Sequence, residues 1–72
     1  MFSEMFPGGV YFVGIGGVSM SALARLLHTH GVPVRGSDAQ ASALTARLER
    51  EGIPVHIGER EEISEDTVVC TG

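Results

Sequence analysis

Lysine is missing from this chain of 72 residues, and all five basic residues are arginine. Any phosphate that it holds is held without an ammonium group. Cysteine occurs once, at Cys70, so no disulfide can close within the chain. A single cysteine reads as a buried thiol in a reducing compartment. No apolar run approaches the roughly 18 residues of a membrane span. The opening MFSEMFPGG lacks a basic n-region and carries Glu4, which argues against a secretory signal. An excess of positive charge is missing as well. The net charge is −4, and seven of the nine acidic residues lie between Glu49 and Asp66. Binding a phosphate backbone needs a basic face, so nucleic acid is excluded as the main partner.

What is present reads as one small α/β unit. A chain of this length buries only about 60% of its unfolded surface, so it is marginal alone. Val10–Val13, VYFV, is β-branched and aromatic, as a strand buried on both faces should be. Four residues containing three glycines follow, Gly14–Gly17. From Val18 to His30 the apolar residues Met20, Leu23, Leu26 and Leu27 recur at helical spacing, and Gly31 and Pro33 end the helix. Val34–Ser37 predicts a second strand, ended by Asp38. Ser42 is the expected N-cap of a second helix, about Ala43–Glu51, closed by Gly52. Val55–Ile57 predicts a third strand, and Thr67–Cys70 a fourth. The acidic stretch Glu59–Asp66 between them has room for one helical turn.

Strands that alternate with helices imply parallel pairing and right-handed crossovers. The expected class is an α/β Rossmann-like parallel sheet cut off after about four strands, because doubly wound sheets carry five or six. On this reading residues 1–72 are the N-terminal part of something longer.

In an open parallel sheet, ligands bind beyond the C-terminal ends of the strands. Those ends are Gly14–Gly17, Ser37–Asp38, Gly58–Glu59 and Thr71–Gly72. Glycine permits a tight turn and a close backbone approach. The first N–H groups of the following helix have no internal partner, and with the helix dipole they favour an anion such as a diphosphate. The segment GIGGVS supplies Gly14 and Gly16 of a G-x-G-x-x-G pattern, with Ser19 at the third glycine position. That third glycine ordinarily serves close helix–strand packing. Asp38 follows the second strand, 22 residues after Gly16, where an acid accepts ribose hydroxyls in dinucleotide enzymes. The bland alternatives are a plain βα turn and a turn aspartate. His28 and His30 sit two apart on a helix and point away from each other, so no metal site is expected. His56 reads as structural, and Ser21 as a first-turn residue with no base beside it.

The run YFVGIGGVSMSALARLL, with VRGSDAQASALTARLEREGIPVHIGE and DTVVCTG, resembles the N-terminal domain of the Mur ligases. The resemblance covers nearly the whole chain after Val10. Its specific parts are Gly14–Gly17, Met20–Ser21, Gly36–Asp38 and the spacing to Gly52 and Gly58. It implies a domain that binds the UDP part of UDP-N-acetylmuramate. Gly14, Ile15, Gly16, Gly17, Val18 and Ser19 would hold the diphosphate, with Ser37, Asp38 and Glu59 near the uridine. It further implies a cytoplasmic enzyme of peptidoglycan synthesis. ATP and Mg2+ would form an acyl phosphate on the sugar's lactyl carboxylate, and the amino group of L-alanine would attack it. The ATP loop of the family ends in Lys-Ser/Thr, so a lysine-free segment carries no catalytic residue of that reaction.

Two positions depart from the family pattern. Ser19 replaces a glycine, and Glu59 stands where many members have histidine, bringing negative charge toward an anionic ligand. A relative that joins UDP-muramic acid to a tripeptide in wall recycling shares much of the pattern. Two readings from other classes stand beside it: a NAD-binding Rossmann domain of an oxidoreductase, and a non-catalytic nucleotide-sensing module.

Overall fold

The structure is a computed structural model that describes residues 2–72, with side chains described from Glu4 onward. A short helix, α1 (Phe2–Met5), precedes β1 (Val10–Val13). Then come α2 (Val18–Thr29), β2 (Val34–Asp38), α3 (Ala43–Arg50), β3 (Val55–Ile57) and β4 (Val68–Thr71). The four strands form one parallel sheet in the order β3-β2-β1-β4. This is the first part of the doubly wound order, so the chain is an α/β, Rossmann-like domain.

The apolar strand β1 is central, as its composition requires. Phe12 pairs with Gly36 on one side and with Cys70 on the other. Side chains alternate along a strand. Val10 and Phe12 therefore share one face and join Ile15, Ala24, Val32, Val34, Leu48 and Ile53 in the core beneath α2 and α3. Tyr11 points to the other face and is also fully buried. Its cover is the acidic connector, which crosses from β3 to β4 on that side. The backbone N–H of Glu61 donates to Tyr11 Oη at 3.0 Å. The Arg35 guanidinium lies 5.0 Å from the centre of the Tyr11 ring and 3.5 Å from Glu61 Oε1. The connector is thus strapped over the second face without any helix.

The helices are held in different ways. Ser42 caps α3: its Oγ accepts from Thr45 N, and Thr45 Oγ1 accepts in return from Ser42 N. That reciprocal pairing is a capping box with threonine in the acceptor role. At the other end of α3, Glu51 ties the two long helices together. Its carboxylate meets Arg25 Nε at 2.6 Å and Arg47 Nε at 3.1 Å, and its carbonyl oxygen lies 3.0 Å from His28 Nε2. The Arg25 guanidinium, aided by Arg47, holds the Glu51 carboxyl below the usual carboxylate range.

The element edges shift from the sequence expectation for local reasons. β2 runs one residue further, to Asp38, because the Asp38 carbonyl accepts from Gly58 N at 2.9 Å and extends the pairing with β3. β4 begins at Val68, because Thr67 is spent on a turn with Ser64 and on the Gly8 carbonyl. The connector makes that turn in place of a helical one. α2 ends at Thr29 and α3 at Arg50, each one residue early. His56, expected to be structural, is exposed on an edge strand.

Candidate functional site

β1 and β4 are neighbours, but the chain leaves β1 toward the helical face and reaches β4 across the other face. Their C-terminal ends therefore border the topological switch point, where an open α/β sheet leaves a crevice. The glycine loop Gly14–Gly17 occupies that position. Met20, in the first turn of α2, reaches across to the end of β4; a Cβ added to Gly72 would lie 3.6 Å from Met20 Cγ.

The loop is wired into the protein more completely than its composition suggests. Gly14 takes φ +81°, a conformation that favours glycine. Its N–H and that of Ile15 both donate to the Ser37 carbonyl, at 2.8 and 3.0 Å. Gly16 N–H donates to Asp38 Oδ2 at 2.8 Å, and Gly17 N–H to the Gly14 carbonyl at 3.1 Å. The Ile15 side chain is fully buried and lies on Gly36, where a Cβ would stand 2.8 Å from Ile15 Cδ1. Ile15 is thus a core residue, and only its backbone borders the crevice.

Four amides expected to face a ligand are therefore already bonded within the protein. The open donors lie one step further along. α2 begins at Val18 with Gly17 as an N-cap that offers no side chain, and its first intrahelical bond is Ser21 N–H to the Gly17 carbonyl at 2.8 Å. The N–H groups of Val18, Ser19 and Met20 have neither an intrahelical partner nor a capping side chain. In α3, by contrast, the Ser42 side chain takes up the N–H of Thr45. The sequence reading placed loop and helix head in one donor set; the structure assigns holding to the loop and leaves donors at the head.

The other expected residues divide in the same way. Ser19 is exposed, so the small-residue packing ordinarily required at that position falls to Ser21 and Ala24, which are buried. Serine at position 19 therefore strains nothing. Val18 is the most exposed large apolar residue described, at 80%. Ser37 is buried and borders the loop through its carbonyl. Asp38 is half-buried, with its carboxylate turned to the loop. Glu59 is exposed just beyond β3. Sequence reasoning missed Thr45: its methyl group would stand 3.0 Å from a Cβ on Gly16. No local pattern signals a contact between residues so far apart.

A cavity of about 310 Å³ lies at the opposite, N-terminal ends of the strands, among Gly8, His28, Pro33, Gly52, Pro54 and Thr67. Strand polarity argues against it as the nucleotide site. Among the described residues, no three His, Cys, Asp or Glu side chains converge on a point.

Comparison with known proteins shows the family. Residues 9–71 match the model of the Mur ligase family, catalytic domain. The chain belongs to the Mur ligase family. It is similar to the UDP-N-acetylmuramate–L-alanine ligase of Lachnoclostridium phytofermentans, with 54% identity over 61 residues, 83% of the chain. The corresponding ligase of Jannaschia sp. is 51% identical over 55 residues, 76% of the chain. That of Roseobacter denitrificans is 47% identical over 62 residues, 86% of the chain. The match spans 12–13% of the length of these three relatives.

Proposed function

We propose that this chain is the UDP-binding N-terminal segment of an ATP-dependent ligase that joins L-alanine to UDP-N-acetylmuramate in the cytoplasm. The observation that carries this reading is the uncapped head of α2 at the switch point. Three backbone donors and the positive end of a helix dipole converge there without a lysine. The diphosphate of the nucleotide sugar rests against Val18, Ser19 and Met20 N–H. The glycine loop lets it come close, and the ends of β2 and β3 flank the nucleoside. The names of the relatives supply the sugar and the amino acid.

Residues 1–72 take part by binding and orientation. ATP and Mg2+, held by other parts of the ligase, would supply the activation of the lactyl carboxylate, and L-alanine would be held there as well. Titration of the chain, and of the longer ligase, with UDP-N-acetylmuramate and with NAD+ tests the reading. Preference for UDP-N-acetylmuramate is expected; tighter binding of NAD+ would reject it in favour of an oxidoreductase domain.

A further inference from the structure

The carboxylate of Asp38 faces the glycine loop, and this assigns it a different task from the one its sequence position suggests. Oδ2 accepts from Gly16 N–H at 2.8 Å, and Oδ1 accepts from Gln40 N–H at 3.2 Å. The second bond fixes the carboxylate plane from its own side of the turn. Thr45, which is buried and locked by three hydrogen bonds with Ser42, stands with Asp38 on the Cβ side of Gly16. A Cβ on Gly16 would lie 2.8 Å from Asp38 Oδ2 and 3.0 Å from Thr45 Cγ2. Gly16 is thus clasped against the last residue of β2 and the first turn of α3. It stands two residues before Val18, so the clasp sets the direction in which the head of α2 presents its donors.

We infer that Asp38 is a positioning residue that clamps the β1–α2 loop through Gly16 N–H and acts on the bound diphosphate through that loop, not by accepting ribose hydroxyls. The bond is charge-assisted, which places it among the stronger hydrogen bonds. The inference rests on the proposed nucleotide site for its binding arm, whereas its loop arm needs no ligand.

The experiment uses the 15N-labelled chain and the variants Asp38→Ala and Asp38→Asn. In the ligand-free protein, Asp38→Ala should speed hydrogen exchange at the Gly16 amide by about tenfold or more, while Val34–Gly36 stay protected. Asp38→Asn keeps an acceptor, so exchange should stay within about threefold, and the Gly16 amide proton resonance should move most. Unchanged Gly16 exchange and resonance in both variants would overturn the clamp. If Asp38→Ala does not fold, the Asn variant's Gly16 resonance decides the loop arm.

The binding arm compares UDP-N-acetylmuramate with inorganic pyrophosphate, which has no ribose. A clamp weakens both by the same factor in Asp38→Ala. A ribose contact weakens only the nucleotide sugar, and that outcome would overturn the inference. If the wild-type chain bound neither compound, the nucleotide reading would fail, and the exchange data would still decide the clamp.

Discussion

At the scale of single residues, the site is decided by which backbone groups are already engaged. Gly16→Val illustrates the point. The new side chain meets Asp38 Oδ2 and Thr45 Cγ2 before it meets any ligand. The variant should lose about 1–3 kcal/mol of stability, the usual cost of overpacking, together with nucleotide binding. Urea denaturation of the ligand-free chain checks this, and a wild-type midpoint would show that the space is larger than described. Glu59→His removes a negative charge near the end of β3, and UDP-N-acetylmuramate should then bind more tightly. An unchanged Kd would mean that the Glu59 side chain faces away from the ligand.

At the scale of elements, the two helices show what a cap does. α3 spends Ser42 and Thr45 on its own N-terminus. Ser42→Ala should cost about 1 kcal/mol, seen as a lower thermal midpoint, and should loosen Thr45 beside Gly16. α2 lacks such a cap and keeps its donors for other use. The helix pair also carries a pH dependence. The folded-state pKa of Glu51 is depressed, first by Arg25. Its contribution is therefore full above the unfolded carboxylate value of about 4.3 and fades as pH falls through the lower folded value. Urea midpoints of wild type and Glu51→Gln should differ at neutral pH and converge in acid. A gap that widens in acid would contradict the assigned pair.

At the scale of the whole molecule, the sheet has two enclosed strands and two edges. β1 and β2 are enclosed, while β4 forms an edge with Val68 and Val69 at 45% and 39% exposure. An open, apolar edge strand is a template for pairing with another chain. Size-exclusion chromatography of the 72-residue chain should show concentration-dependent association, reduced by Val69→Lys. A stable monomer at all concentrations would show the edge to be sufficiently protected. The core has little reserve in so small a domain, so Phe12→Ala, at about 3–5 kcal/mol, should leave it largely unfolded by circular dichroism.

The sequence by itself determined the four strands, the two long helices and their polarity, and gave no sign of α1. Apolar runs, helical spacing and glycine punctuation are local signals, and they located β1, α2, the Ser42 cap and the parallel sheet to within a residue or so. The same local signals marked the glycine loop as the place to look. Only the tertiary structure decided what each loop residue does there. Whether an amide is open depends on which distant carbonyl or carboxylate lies opposite it, and β2 delivers Ser37 and Asp38 to the loop from more than twenty residues away. That pairing committed the glycine amides inward, sent the Ile15 side chain into the core over Gly36, and left Val18, Ser19 and Met20 as the open donors. Spacing along a chain cannot encode such a choice, because it is made by strand register across the sheet.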